Sequence, residues 1–113
     1  MLVINRFTVA EADTDDFAAR GQAALTALGA CKGYQSGRLT RALDEPTAWC
    51  LVTEWESVGT YRRALSAFDV KMYATPLLAQ SLDEPSAYEP LYLAGPGGAV
   101  TAITSDRATG PMR

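Results

Sequence analysis

The chain has 113 residues, 48% of them hydrophobic, and this length and apolar content favour one domain with a packed core. Its 13 acidic residues outnumber its ten basic ones, which argues against a nucleic-acid partner, because nucleic-acid-binding proteins normally present a basic surface. Apolar runs stay far below the roughly 20 residues of a membrane helix, and no secretory leader is evident, so we expect a cytoplasmic protein without a membrane partner.

The sequence contains no histidine. This excludes a Ser-His-Asp triad, a Cys-His nucleophile pair and a metal or haem held by histidine. Cys31 and Cys50 are too few and too far apart for a zinc site or a CxxC redox motif, and they fit small buried side chains in a reducing compartment. We therefore expect neither a metal nor any other cofactor.

The first part of the chain predicts a strand and then a helix. Residues 1–9 are rich in β-branched and aromatic types and predict a strand, in which Val3, Asn5, Phe7 and Val9 share one face. Asp13 or Thr14 is a suitable N-cap, and apolar residues recur at helical spacing over residues 14–29. Because alanine and glycine dominate this helix, a cavity beneath it and close packing without a cavity are equally compatible with the sequence.

A β-hairpin is predicted next. Residues 34–43 and 48–55 favour strands, and the Asp44-Glu45-Pro46-Thr47 segment between them favours a turn. In the second of these strands, alternation places four residues on one face: Trp49, Leu51, Thr53 and Trp55.

The last third of the chain predicts broken helical structure and a final strand. Ser57 caps a helix with one apolar stripe, formed by Val58, Tyr61, Leu65 and Phe68. We expect a break at Asp69, a kink at Pro76, and a strand over residues 86–93 with Pro90 at an edge or bulge. Residues 1–93 then form the domain, and 94–113 a tail that is flexible or packed on a partner.

The predicted order is β-α-β-β-α-β. It indicates an α+β protein of the ferredoxin-like type, with an antiparallel four-stranded sheet and both helices on one face. The other sheet face carries large apolar residues, and such a face is rarely left in water. We therefore expect a homodimer in which two sheets pack together as a dimeric α/β barrel.

Three motifs carry a resemblance to a known family. Thr53-Glu54-Trp55-Glu56-Ser57 followed by Tyr61, Gly33-Tyr34 at the start of a strand, and the Asp44-Glu45-Pro46 hairpin resemble the antibiotic biosynthesis monooxygenase family of dimeric α/β barrels. The resemblance covers residues 1 to about 92. It implies a cofactor-independent oxygenase that acts with dioxygen on a small hydrophobic, aromatic, polyketide-like ligand, or a haem-degrading enzyme.

The resemblance also implies site residues. The polyketide oxygenases use an Asn, a strand-end Trp and a helical Tyr; Trp55 and Tyr61 match the last two, whereas Leu51 replaces the Asn. The haem degraders use a first-strand Asn, which Asn5 matches, but their helical Trp corresponds to about Ala64, and their axial His has no counterpart. Haem degradation is therefore the less favoured branch.

Candidate residues follow from both lines of reasoning. The predicted catalytic residues are Asn5, Trp55 and Tyr61. The predicted substrate-binding residues are Phe7, Leu25, Leu51, Phe68 and Tyr73. Each also has a structural interpretation, as a strand amide or as a core or helix-packing side chain. A dimeric protein that binds a reactive small molecule without catalysis is the alternative to an enzyme.

Overall fold

A computed structural model describes residues 1–104. A single 3-10 turn, Glu11–Asp13, precedes the first helix. The strands and helices are β1 (Leu2–Thr8), α1 (Thr14–Gly29), β2 (Tyr34–Arg41), β3 (Ala48–Trp55), α2 (Val58–Ala64), α3 (Phe68–Tyr73), α4 (Thr75–Leu78), β4 (Ala87–Tyr88), β5 (Tyr92–Ala94) and β6 (Val100–Ala102).

The main sheet has four antiparallel strands in the order β2-β3-β1-β4. This is the predicted ferredoxin-like α+β architecture, which is therefore confirmed. Strand β1 pairs with β3 along its whole length, from Leu2 opposite Glu54 to Thr8 opposite Ala48. The sheet consequently holds its two longest inner strands in a fixed register, on which the candidate site is built.

The predicted alternation of faces is also confirmed. Side chains that point toward the helices are at most 7% exposed, and they are Val3, Phe7, Trp49, Leu51, Thr53 and Trp55. The opposite side of the sheet is named the open face here, and its half-buried members on β1 and β3 are Leu2, Ile4, Arg6, Ala48, Cys50 and Val52. Within residues 1–104, the helices lie over only one side of the sheet.

Helix α1 approaches the sheet closely. A Cβ atom at Gly21 would lie only 2.6 Å from Cδ2 of Leu39 on β2. The buried residues of α1 are Phe17, Gly21, Ala24, Ala27 and Leu28. At Gly21 the small-sided helix is thus used for close packing, the second of the two alternatives left open by the sequence.

The predicted second helix is divided into three short helices. Ala67 takes extended backbone angles (φ −68°, ψ 144°), which ends the first segment before Phe68 rather than at Asp69. Because α3 restarts with a new phase, Phe68 does not continue the stripe of Tyr61 and Leu65 and is 74% exposed. The single stripe predicted from Val58 to Phe68 is wrong at its last member.

The predicted last strand is also divided. Only Ala87–Tyr88 pairs with β1, and after Pro90 the chain forms a separate hairpin of β5 and β6. Gly97 and Gly98 in its turn have φ values of 99° and 82°, a region in which glycine carries no steric penalty. The boundary expected after residue 93 falls inside this terminal hairpin, residues 92–102, and positions 105–113 of the predicted tail lie outside the described residues.

None of the helices in residues 1–104 is long and apolar enough to cross a membrane.

Candidate functional site

The helix-facing side of the sheet carries the candidate site in three cross-strand rows. The register gives the rows Asn5–Leu51–Leu39, Val3–Thr53–Gly37 and Trp55–Tyr34. Residues directly opposite each other on antiparallel strands project to the same face, with Cβ atoms about 4.5–5.5 Å apart. The rows therefore place the first-strand amide beside Leu51 and bring Tyr34 next to the strand-end tryptophan.

Trp55 lies at the centre of an aromatic group. It is 0% exposed, and its indole N–H donates to Thr53 Oγ1 at 2.9 Å. The Tyr34 ring meets it edge to face at 5.3 Å and 86°, and the Tyr61 ring is tilted against it at 5.4 Å and 55°. Since the indole is enclosed and its N–H is already bonded, Trp55 positions the two phenols and does not itself contact a ligand.

Tyr61 is positioned by the first turn of α2. Ser57 Oγ accepts from the Thr60 backbone N–H at 3.2 Å, and the Thr60 hydroxyl accepts from the Ser57 N–H at 3.2 Å, which forms a reciprocal capping box. Gly33 anchors this turn, because its carbonyl accepts from Glu56 N at 2.7 Å and its φ is 89°. A Cβ at Gly33 would collide with Thr60, so the close approach requires glycine.

Tyr34 belongs to the site although the candidate list does not include it. Its ring lies 3.6 Å from the point where a Gly29 Cβ would stand, and its hydroxyl occupies the space above Gly37. Leu25, a predicted ligand-binding residue, lies beside the same space, with Cδ2 at 3.0 Å from a Cβ at Gly37. A glycine inside a strand pattern is the sequence signal for such a close approach.

Three polar groups of the site remain open to a ligand. Within residues 1–104, no buried side-chain nitrogen or oxygen lacks a hydrogen-bond partner. The side chains of Asn5, Tyr34 and Tyr61 are half-buried and make no side-chain hydrogen bond in this part of the chain. Their amide and hydroxyl groups therefore reach accessible space, where they are free to hydrogen-bond a ligand.

Burial raises the pKa of both phenols, Tyr61 and Tyr34, because a phenolate loses hydration in this environment. Near neutral pH both side chains are neutral, and each hydroxyl is a hydrogen-bond donor. The site thus combines two phenol donors and one amide, and it can stabilise an oxyanion that develops on an aromatic ligand.

The raised pKa values predict how stability depends on pH. Below the unfolded-state pKa of about 10, both states keep their phenolic protons, so these groups give no slope. Above about pH 10 the unfolded chain loses protons first, and the free energy of unfolding falls as pH rises. We expect urea denaturation at pH 8–11 to show this fall, with a smaller slope in Tyr61→Phe; an equal slope in both proteins would contradict the burial of Tyr61.

The predicted ligand-binding residues divide into two groups. Leu51 is 1% exposed beside Asn5, and Leu25 lies beside the Tyr34 hydroxyl, so both belong to the site. Phe7 lies at the other end of the sheet, where its ring meets Phe17 at 5.1 Å. Phe68 and Tyr73 are 74% and 53% exposed on α3. The structure therefore does not bring these last three side chains to Trp55.

Three surface recesses lie outside this aromatic group. One of about 330 Å³ lies between Phe7, Phe17 and Arg20, and one of about 660 Å³ lies beside Met1 and Arg62. The third, of about 280 Å³, lies between the alanines of α1 and Tyr73 on α3. None of these three is lined by Asn5, Trp55 or Tyr61. Among residues 1–104, no group of three or more Cys, Asp or Glu side chains is placed to hold a metal ion.

The fold and the site together define a small α+β domain with an aromatic, polar-lined site between sheet and helices. The family model for antibiotic biosynthesis monooxygenases matches residues 1–73, and the chain belongs to that family. The resemblance seen in the sequence is thereby confirmed. A comparison with curated proteins gives no match.

Several solved structures share the fold. SnoaB, a cofactor-independent oxygenase from Streptomyces nogalater, is 23% identical, with 97% of this chain and 95% of that one covered and a TM-score of 0.62. A Nitrosomonas europaea protein described by the same family name is 16% identical, with 80% and 98% covered and a TM-score of 0.64. Rv0793 from Mycobacterium tuberculosis is 19% identical, with 95% and 97% covered and a TM-score of 0.61. At these identities the structural matches establish the fold.

Proposed function

We propose that this family member is a monooxygenase that needs no added cofactor and oxidises a small aromatic, phenol-type metabolite with dioxygen. The observation that carries the proposal is the aromatic group around Trp55, which holds two neutral phenols with open hydroxyls on the side of the sheet that also bears the Asn5 amide. The similarity to a cofactor-independent oxygenase supports it.

The proposed reaction begins with an acidic CH₂ group in a ring that carries a phenol or ketone, as in an anthrone. Loss of a proton to solvent gives a carbanion whose charge is delocalised onto the ring oxygen. Dioxygen adds to this carbon, and the resulting hydroperoxide loses water, so that CH₂ and O₂ become C=O and H₂O. Asn5 and Tyr61 donate hydrogen bonds to the anionic oxygen, and Trp55 is a positioning residue.

Turnover of an anthrone under air tests this proposal. With no metal or flavin added, we expect quinone formation and oxygen uptake above the blank. Tyr61→Phe is expected to reduce kcat by about 10²-fold, in line with the loss of one oxyanion donor. Tyr73→Phe is the matched control, because that phenol is 53% exposed on α3, and its activity is expected to equal wild type. No turnover of anthrone or of a panel of phenols would overturn the proposal.

A non-catalytic binding protein is the second candidate function. It is favoured by Leu51, which occupies the position of the Asn that the sequence resemblance implied and is 1% exposed among core residues. The same assay separates the two functions. Ligand binding without oxygen uptake supports the binding protein, whereas oxidation lost on Tyr61→Phe with binding retained supports the enzyme.

We also propose a cytoplasmic homodimer formed through the open face. Its support is the apolar content of that face, with Leu2, Ile4 and Val52 on the inner strands. The terminal hairpin adds exposed apolar side chains, with Tyr92 at 70% and Val100 at 65% exposure, and these fit a segment that packs on the partner. Cys31 and Cys50 are unpaired, which suits a reducing compartment.

A further inference from the structure

We propose that Tyr34 is a further ligand-binding residue of this site, and that its hydroxyl, seated over Gly37, donates a hydrogen bond to an anionic oxygen of an aromatic ligand. The inference deepens the proposed function and rests on it. It assigns to Tyr34 a contact with the ligand that neither the sequence motifs nor the family membership provides.

Gly37 is the first observation behind this assignment. Its φ is not positive, so the backbone does not require glycine there. Glycine inside a strand weakens that strand, by roughly 0.5–1 kcal/mol relative to alanine. What the position provides is space, since a Cβ at Gly37 would collide with the Tyr34 hydroxyl. The missing side chain thus keeps a polar group over the sheet, where apolar packing alone would favour a larger residue.

The direction of the side chain is the second observation. Tyr34 starts at the end of β2, in the row of Trp55, and its hydroxyl lies one row further in, above Gly37 and beside Leu25. Thr53, which faces Gly37 across the strands, accepts the indole N–H of Trp55. The Tyr34 hydroxyl therefore points toward the polar centre of the sheet and away from the edge of β2.

The availability of the hydroxyl is the third observation. It makes no hydrogen bond in residues 1–104, and it is not a buried, unsatisfied atom, so it borders accessible space. Tyr34 and Tyr61 lie against one indole, with ring centres 5.3 and 5.4 Å from it. A ligand with fused aromatic rings is of the right size to meet both phenols. Since a neutral phenol donates, the chemistry selects ligands with an ionised phenol or enol oxygen.

Tyr34→Phe tests the assignment, because it removes one oxygen and keeps the ring against Trp55. Binding of 1,8-dihydroxyanthrone is followed by tryptophan fluorescence under nitrogen, which prevents oxidation, and anthracene is the probe without an oxygen. We expect at least tenfold weaker binding of ionised dihydroxyanthrone and unchanged binding of anthracene. The difference between wild type and variant should grow as the probe ionises with rising pH, an effect that altered packing alone would not produce.

A second variant keeps the inference testable. Gly37→Ala should displace the Tyr34 hydroxyl and weaken the ionised probe similarly, and in a Tyr34→Phe background the same change should cost less. Equal binding of ionised dihydroxyanthrone by wild type and Tyr34→Phe, or an equal loss for both probes, would overturn the role of Tyr34.

The outcomes for Tyr34 and for the enzyme are distinguishable. Oxidation and binding unaffected by Tyr34→Phe would leave the enzyme standing and remove Tyr34 from the site. Selective binding of the ionised probe without oxidation under air would keep Tyr34 and remove the enzyme. Failure of wild type to bind either probe would overturn both.

Discussion

We expect Trp55→Ala to lower the free energy of unfolding by about 3–5 kcal/mol, the range for removing a fully buried tryptophan. The side chain is 0% exposed, and the rings of Tyr34 and Tyr61 lie against it. Its loss leaves a cavity at the junction of β3 and α2 and frees both phenols from their support. Guanidinium denaturation followed by circular dichroism, at one fixed protomer concentration, measures the change.

Two milder variants separate the contributions within this effect. Trp55→Phe retains an aromatic ring and, if the alanine variant does not fold, supplies the measurable change. Thr53→Val keeps the volume of residue 53 but leaves the buried indole N–H without its acceptor, which costs about 1–3 kcal/mol. A loss of less than about 1 kcal/mol in Trp55→Ala, similar to that for the exposed Tyr73→Ala, would contradict the central position of Trp55.

The fold was predictable because strand alternation has a period of two. Once residues 48–55 are identified as a strand, Trp49, Leu51 and Trp55 must share a face, and the structure buries all three. The helical region was less predictable, since a single extended residue, Ala67, resets the helical phase. This is why Phe68 is exposed on α3 and does not line a pocket beneath it.

The site was predictable only in part, because it depends on register and on close approach. The opposition of Asn5 and Leu51 follows from how β1 pairs with β3, which a single sequence does not specify. The close approach of the Tyr34 hydroxyl to Gly37 depends on a side-chain direction that spacing does not give. The glycine itself was a visible signal, and its position in the second strand pointed to such a contact.

A charge on the open face should prevent dimer formation. Ile4→Lys places an ammonium group on an inner strand, opposite Val52 and two residues from Arg6 on the same face. In a two-fold interface each substitution occurs twice, so two unpaired lysines would be buried next to existing cations. The expected loss is several kcal/mol of dimer stability, or more than about 100-fold in the dissociation constant.

Sedimentation equilibrium of wild type, Ile4→Lys and a control measures the expected effect. Gln22→Lys is the matched control, because it adds the same charge at an exposed position of α1, on the side of the sheet away from the open face. We expect wild type and Gln22→Lys to sediment as dimers at micromolar concentration and Ile4→Lys as a folded monomer. A monomeric wild type, or a dimer that tolerates Ile4→Lys, would show that the open face is not the interface. Exposed apolar side chains of the terminal hairpin, Leu91 and Tyr92 among them, would then be the next surface to substitute.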